Sequence, residues 1–228
     1  MTRLGMNILA LDTSTEQCSV ALMRGETVIE RCVHTARDHA DLVLGMVEDV
    51  LREGMLSLKQ LDGIAFGRGP GGFTGVRIGV GVAQGLALGA GLPTVGVSDL
   101  AAVACQATQQ PGDILVCMDA RMGEVYWAVF RVDDRGRVEP RSPERVGPPR
   151  GVMWDEPLHL AAGTGFAAYP DLRDRFKDLT LRTDILPRAS DIAKLAALEI
   201  EAGQALPARD AQPSYVRDDV AVKPVRHT

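Results

Sequence analysis

The stretch Gly67-Arg68-Gly69-Pro70-Gly71-Gly72-Phe73-Thr74-Gly75-Val76-Arg77-Ile78-Gly79 constrains this chain most. An apolar run, Gly63-Ile64-Ala65-Phe66, precedes it, and a long helix rich in small residues follows. Strand, glycine loop and helix form a layout in which backbone N–H groups can face an anion. The loop lacks the Gly-Lys-Ser/Thr of a Walker phosphate cradle and the spacing of a dinucleotide-binding turn. Thr74 reads as the helix N-cap, with Phe73 before it as a staple. Between Thr74 and Gly91 the helix contains Gly75, Gly79, Gly81, Gly85 and Gly89. Each glycine costs about 1 kcal/mol relative to Ala, so close packing has to offset roughly 4–5 kcal/mol. Gly75 and Gly79 are one helical turn apart, as are Gly81, Gly85 and Gly89, and such spacing places residues on one face. A glycine face admits a neighbouring backbone. That neighbour is either the chain's own sheet or a partner subunit, and a helix has sides enough for both.

Composition narrows the class. At 228 residues with 46% hydrophobic side chains, the chain suits one large domain or two lobes sharing a core. Aromatics make up only 4%, so the core is built from Val, Leu, Ile and Ala. A formal net charge of −5 disfavours a nucleic-acid grip by this chain alone. Cys18, Cys32, Cys105 and Cys117 contain no CxxC pair and read as buried, reduced thiols of a cytoplasmic protein. Residues 76–97 are long enough to raise the question of a membrane span, but Arg77, Gln84, Pro93 and the glycines argue against one.

Along the chain, residues 7–12, 18–22 and 27–33 read as strands, and a helix over 39–53 is capped by Asp38 and closed by Gly54. Val43, Met46, Val47, Val50 and Leu51 form its apolar stripe. A short helical piece at 57–61, the strand 63–67, the glycine helix, a strand at 94–97 and a helix capped by Ser98 complete the first half. Residues 108–113 read as a linker, which divides the chain into lobes at 1–107 and 108–228. The second half repeats a unit of the first: an apolar strand to Asp119, a small turn, and an alternating strand over 124–132. Loops with one edge strand over 134–157, a strand over 158–162 ending in Gly163-Thr164-Gly165, and a helix from Ser190 to Gly203 follow. The tail after about 205 is extended and packs back on the first lobe; its charged end (Arg217, Asp218, Asp219, Lys223, Arg226) reads as frayed.

Gly69-Pro70-Gly71-Gly72-Phe73-Thr74-Gly75-Val76-Arg77-Ile78-Gly79 resembles the signature of the bacterial TsaB (YeaZ) family. It departs at Gly72, where the family usually has Ser. The resemblance extends to Ile8–Ser14, Pro93–Ser98, Asp119–Tyr126 and Pro213–Arg217, and so covers nearly the whole chain. It implies an α/β, two-lobed actin/Hsp70/sugar-kinase-like (ribonuclease H-like) fold with mixed sheets. It further implies a place in the machinery that adds threonylcarbamoyl to adenosine of tRNA. In that superfold nucleotide sits between the lobes, and the positional counterparts here are Asp12, Ser14, Asp119 and Gly163.

The implied role is that of a non-catalytic scaffold for a TsaD-type catalytic subunit, with a TsaE-type ATPase joining and tRNA held only through the complex. The partner-binding candidates are Val43, Met46, Val47, Val50, Gly75, Gly79, Gly81, Gly85 and Gly89, and the same helices can pair two copies as a homodimer. No cofactor is expected of the chain itself; ATP with Mg²⁺ would enter only weakly or at a partner interface. The alternative is an ATPase or carbamoyltransferase of the same superfold. Against it, Met122 crowds the second Asp-bearing turn, and no metal-binding pair matches the His-x-x-x-His helix of TsaD. His34 and His39 lie five apart, about 140° around a helix, and read as lone surface histidines. A peptidase reading finds neither a His-Glu-x-x-His site nor a Gly-x-Ser-x-Gly elbow.

Overall fold

The computed structural model describes residues 5–35, 37–108 and 110–216. The expectation of a frayed, charged terminus falls on residues outside these. Strands β1 (Asn7–Asp12), β2 (Gln17–Arg24) and β3 (Thr27–His34) form an antiparallel meander. Helix α1 (His39–Glu53) leads to β4 (Gly63–Gly67), which lies parallel to β1. Helix α2 (Phe73–Ala90) crosses back to β5 (Pro93–Val97), parallel to β4. Helix α3 (Asp99–Ala107) enters the second half, where β6 (Gly112–Asp119) and β7 (Val125–Val132) form a hairpin. The edge strands β8 (Val138–Pro140) and β9 (Arg145–Gly147) both pair with β7, and β10 (Leu160–Ala162) lies parallel to β6. Helices α4 (Gly165–Ala168) and α5 (Pro170–Arg175) and strand β11 (Thr180–Arg182) precede α6 (Ala189–Glu201) and β12 (Leu206–Pro207). The sheets run β12-β5-β4-β1-β2-β3 and β11-β10-β6-β7-β8.

Strand alternation sorts side chains to the two faces of the first sheet. Leu9, Leu11, Val20, Leu22, Ile64 and Phe66 pack under α1 and α2. Ile8, Ala10, Ala21, Met23 and Ala65 face α3 and α6. The other side of α3 (Leu100, Val103, Ala104, Ala107) packs on the second sheet with Ile114, Val116 and Ala128. Helix α3 therefore lies between the sheets, and α4 and α5 cover the far face of the second. The chain returns to the first sheet before residue 205, because α6 already packs on it. β12 then adds an edge strand beside β5, where Pro207 interrupts no interior ladder.

Two helix starts, and the capping bond at a third, differ from the sequence reading. Helix α2 begins at Phe73, with Gly72 as N-cap and no side-chain cap. Its entry is fixed instead from the β1–β2 turn: Gly72 N–H donates to the Ser14 carbonyl (2.7 Å) and Thr13 Oγ1 to the Gly75 carbonyl (2.7 Å). Phe73 is no staple; its ring is half exposed under the Arg77 guanidinium, 3.3 Å from the centroid. Helix α6 starts at Ala189, and Ser190 does not cap it. Its first amides donate across the fold, Ala189 N–H to Ser19 Oγ (3.0 Å) and Ser190 N–H to Glu30 Oε1 (2.8 Å). Asp38 occupies the N-cap of α1 without a capping bond, because its Oδ2 accepts from Thr35 Oγ1 (3.0 Å). Ser98 does cap α3, accepting from Ala101 N–H at 3.1 Å.

Candidate functional site

A cleft of about 1140 Å³ opens between the two sheet systems. Its first-lobe wall is the turn after β1 and the start of α2, including Ser14 and Gly75. Its second-lobe wall is the β6–β7 turn with Tyr126 and Thr164, and Ser214 and Tyr215 of the returning tail close one side. Contacts bridge the walls: Arg121 pairs with Glu16 at 3.5 Å, and Tyr126 Oη donates to the Gly71 carbonyl at 3.4 Å.

The β6–β7 turn is tight. Arg121, Met122 and Gly123 all have left-handed backbone, at φ +61°, +55° and +77°. For the two non-glycine residues this geometry costs on the order of 1 kcal/mol each. Asp119 holds the turn: Oδ1 accepts from Arg121 N–H (2.9 Å) and Tyr169 Oη (2.9 Å), and Oδ2 from the Arg121 guanidinium (3.2 Å). Met122 projects into solvent, 87% exposed, at the cleft mouth.

The four cleft candidates divide. Ser14 and Asp119 line the cleft. Asp12 does not; it is buried behind the turn, Oδ1 accepting from Ser14 N–H (3.0 Å) and Oδ2 from Ser14 Oγ (3.2 Å). Burial pushes its carboxyl up to about 6. Gly163, at φ +109°, lies against the Cys117 carbonyl, which a Cβ would overlap. Its neighbour Thr164 faces the cleft, Oγ1 accepting from Asp119 N–H at 3.0 Å. Glu16, Arg121, Tyr126 and Tyr169 were not singled out in the sequence, because their role depends on the two turns meeting.

The partner-binding candidates divide as well. Val43, Met46, Val47 and Val50 are buried beneath α1 in the first lobe's own core. What α1 shows to solvent includes Leu44, at 49% exposure, and Gly45. On α2, a Cβ at Gly75 would overlap the Thr13 carbonyl oxygen, and one at Gly79 would lie 2.9 Å from Thr13 Oγ1. Gly81, Gly85 and Gly89 have nothing within 4 Å of that position. Helix α2 meets the length and apolarity of a membrane span, at a mean hydropathy of 1.2, yet it packs one face (Val76, Val80, Ala83, Ala87) on the sheet. One histidine expectation is corrected: His39 is buried, its Nε2 2.8 Å from the Thr15 carbonyl, because the helix start tucks against the β1–β2 turn. Cys18, Cys105 and Cys117 are buried and free, whereas Cys32, on the edge strand β3, is exposed.

Two mixed sheets, each containing a strand–Asp–turn–strand hairpin, with a cleft between those turns, define a two-lobed α/β protein of the actin/Hsp70/sugar-kinase class. The fold is similar to that of (R)-2-hydroxyglutaryl-CoA dehydratase component A from Acidaminococcus fermentans, at TM-score 0.50 and 10% identity over 86% of this chain and 99% of that one. The protein "YeaZ from Pseudomonas aeruginosa" superposes with TM-score 0.83 at 38% identity, over 92% of this chain and 99% of that one. A second P. aeruginosa structure, described as an uncharacterized protein with similarity to peptidase YEAZ, gives 0.85 at 39%, over 93% and 100%. The family profile described as "TsaD: tRNA N6-adenosine threonylcarbamoyltransferase" matches residues 33–140. The Escherichia coli protein named tRNA threonylcarbamoyladenosine biosynthesis protein TsaB is 42% identical over 96% of this chain and 97% of its own length. Its Haemophilus influenzae namesake is 39% identical over 96% of both. The chain belongs to the TsaB (YeaZ) family.

Proposed function

We propose that this chain serves tRNA threonylcarbamoyladenosine synthesis as a non-catalytic scaffold, presenting the outer face of α2, beside α1, to a TsaD-type catalytic subunit. The observation that carries this reading is the divided glycine stripe. Gly75 and Gly79 are needed by the chain's own turn, whereas Gly81, Gly85 and Gly89 face open space. Those three lower the helix propensity of α2 and return nothing within the fold. Exposed Leu88, at 63%, lies among them, and Leu44 on α1 is also exposed. A foreign helix laid on this face meets bare backbone and apolar side chains, the arrangement helix–helix contacts use. The same face serves a homodimer when the partner is absent. A TsaE-type ATPase joins the assembly, and tRNA is held through the complex in the cytoplasm.

The test is co-purification with a TsaD-type subunit. Gly85→Leu and Leu44→Asp are expected to fold as wild type and to lose the partner. Retention of the partner by both variants would falsify the interface. A second reading, nucleotide binding in the cleft as in an ATPase or carbamoyltransferase of this superfold, is favoured by the cleft volume with Ser14 and Asp119 in its wall. Heat on titrating ATP with Mg²⁺ into the isolated chain, abolished in Asp119→Ala, would support it. No heat at millimolar nucleotide would leave any nucleotide to a partner interface.

A further inference from the structure

Asp99, the first residue of α3, is fully buried, and Asp12 at the end of β1 is buried beside it. Both carboxyls converge on Gly67, the last residue of β4, where a Cβ would overlap Asp12 Oδ1 and Asp99 Oδ1 together. Asp12 and Gly67 follow the paired residues Leu11 and Phe66 of adjacent parallel strands, so register brings them level. Asp99 Oδ2 accepts from Gly69 N–H at 2.6 Å, and Asp99 N–H donates to the Gly69 carbonyl at 3.1 Å. Asp99 Oδ1 is buried with no hydrogen-bond partner among the described residues. Its neighbour in the gap left by Gly67 is the Asp12 carboxyl, since Oδ1 of each crowds the position a Gly67 Cβ would take. Two carboxylates have only acceptors to offer, so a bond between them requires a proton on one. Two buried negative charges at this range repel strongly, which favours retaining that proton.

We propose that Asp12 and Asp99 share one proton, and that this acid pair pins the β1–β2 turn, the glycine loop and the start of α3 to one another. Through Asp12 it reaches Ser14, whose carbonyl receives Gly72 N–H; through Asp99 it reaches Gly69. The pin therefore sets the entry to α2. Among the described residues, no counter-charge is a cause of either carboxyl's shift. Burial and the Asp12 charge hold the Asp99 carboxyl well above the ordinary carboxylate range, and burial does the same to Asp12. From β2 and β3 the ionisable neighbours are the thiols of Cys18, pushed by burial to about 11, and of Cys32, pushed to about 11 by partial desolvation and the Glu30 charge, and both are hence neutral. On α6, Asp191 and Lys194 pair with each other at 2.9 Å. The pair binds protons more tightly folded than unfolded, so its contribution is complete in acid and is lost as pH rises through about 6 and beyond.

Asp99→Asn separates this inference from any structural role of the side chain. The amide oxygen keeps the bond from Gly69, and the NH₂ group gives Asp12 a permanent donor. The wild-type melting temperature is expected to fall from about pH 5 to about pH 8, and that of Asp99→Asn to stay higher and flatter over the same range. The infrared spectrum of wild type near neutral pH should contain a protonated-carboxyl C=O band that is missing from Asp99→Asn. Asp12→Asn serves as the second variant, with the same flattening expected. Equal pH slopes in all three proteins, or no such band in wild type, overturn the proposal. A melting temperature raised by Mg²⁺ or Ca²⁺ in wild type and unmoved in both variants overturns it too, since a cation would then bridge the pair.

Discussion

Gly75 and Gly85 lie on one helix with opposite surroundings, and the same substitution should have opposite consequences. At Gly75 the space for a Cβ is occupied by the Thr13 carbonyl, a backbone atom that cannot swing away. Gly75→Ala is expected to destabilise the isolated chain by about 3 kcal/mol, read as a lower urea midpoint at unchanged slope. At Gly85 nothing lies within 4 Å, so Gly85→Ala gains helix propensity and should stabilise by roughly 0.5–1 kcal/mol. If the scaffold reading holds, that stabilised variant binds its partner more weakly, an opposition of stability and function visible in one protein. The same substitution at Gly81 has the same expected sign, because its surroundings are equally open.

At the scale of elements, helix starts in this fold are secured from other segments. Helix α6 draws its first acceptors from β2 and β3, more than 150 positions away in the chain. Ser19 is fully buried, so Ser19→Ala leaves the Ala189 N–H unpaired inside the core. A loss of about 1–2 kcal/mol is expected, measured by chemical denaturation. Ser190→Ala, the change a local reading would choose, should cost less than about 0.5 kcal/mol because that side chain is not the cap. The tail behaves similarly: Ser214 N–H donates to the Arg68 carbonyl at 2.7 Å, and Tyr215 lies 6.0 Å from Phe73 at the start of α2.

For the whole molecule, α3 is the shared wall. One side packs with α6 on the first sheet and the other fills the core of the second. Lobes joined through a common helix should unfold together. Trp127 and Trp154 both report on the second sheet's far side, whereas far-ultraviolet circular dichroism reports on all elements. Their thermal transitions are expected to coincide, and two separated midpoints would show independent lobes. Leu100→Ala, at a fully buried position on α3, should lower stability by about 2–5 kcal/mol and move both signals together.

The order and kind of the long elements, the repeated strand–Asp–turn–strand unit and the family resemblance were all present in the sequence, because period, caps and turn residues act over a few positions. The segment 165–182 was not legible: its two helices and one strand span only four, six and three residues, too short to show a period. Nor could the linear pattern divide the five glycines, since it displays their spacing but not the Thr13 backbone that meets two of them. Asp12 and Asp119 hold matching places in matching turns, yet one is sealed in the core and the other faces the cleft. Asp99 lies in the first turn of a helix with no local sign of a role, and only the tertiary fold brings it against Asp12 at Gly67. Local chemistry fixed what each segment becomes. Which faces remain open and which charges are buried depends on partners dozens of residues away, and sheet register and helix packing alone bring those partners into contact.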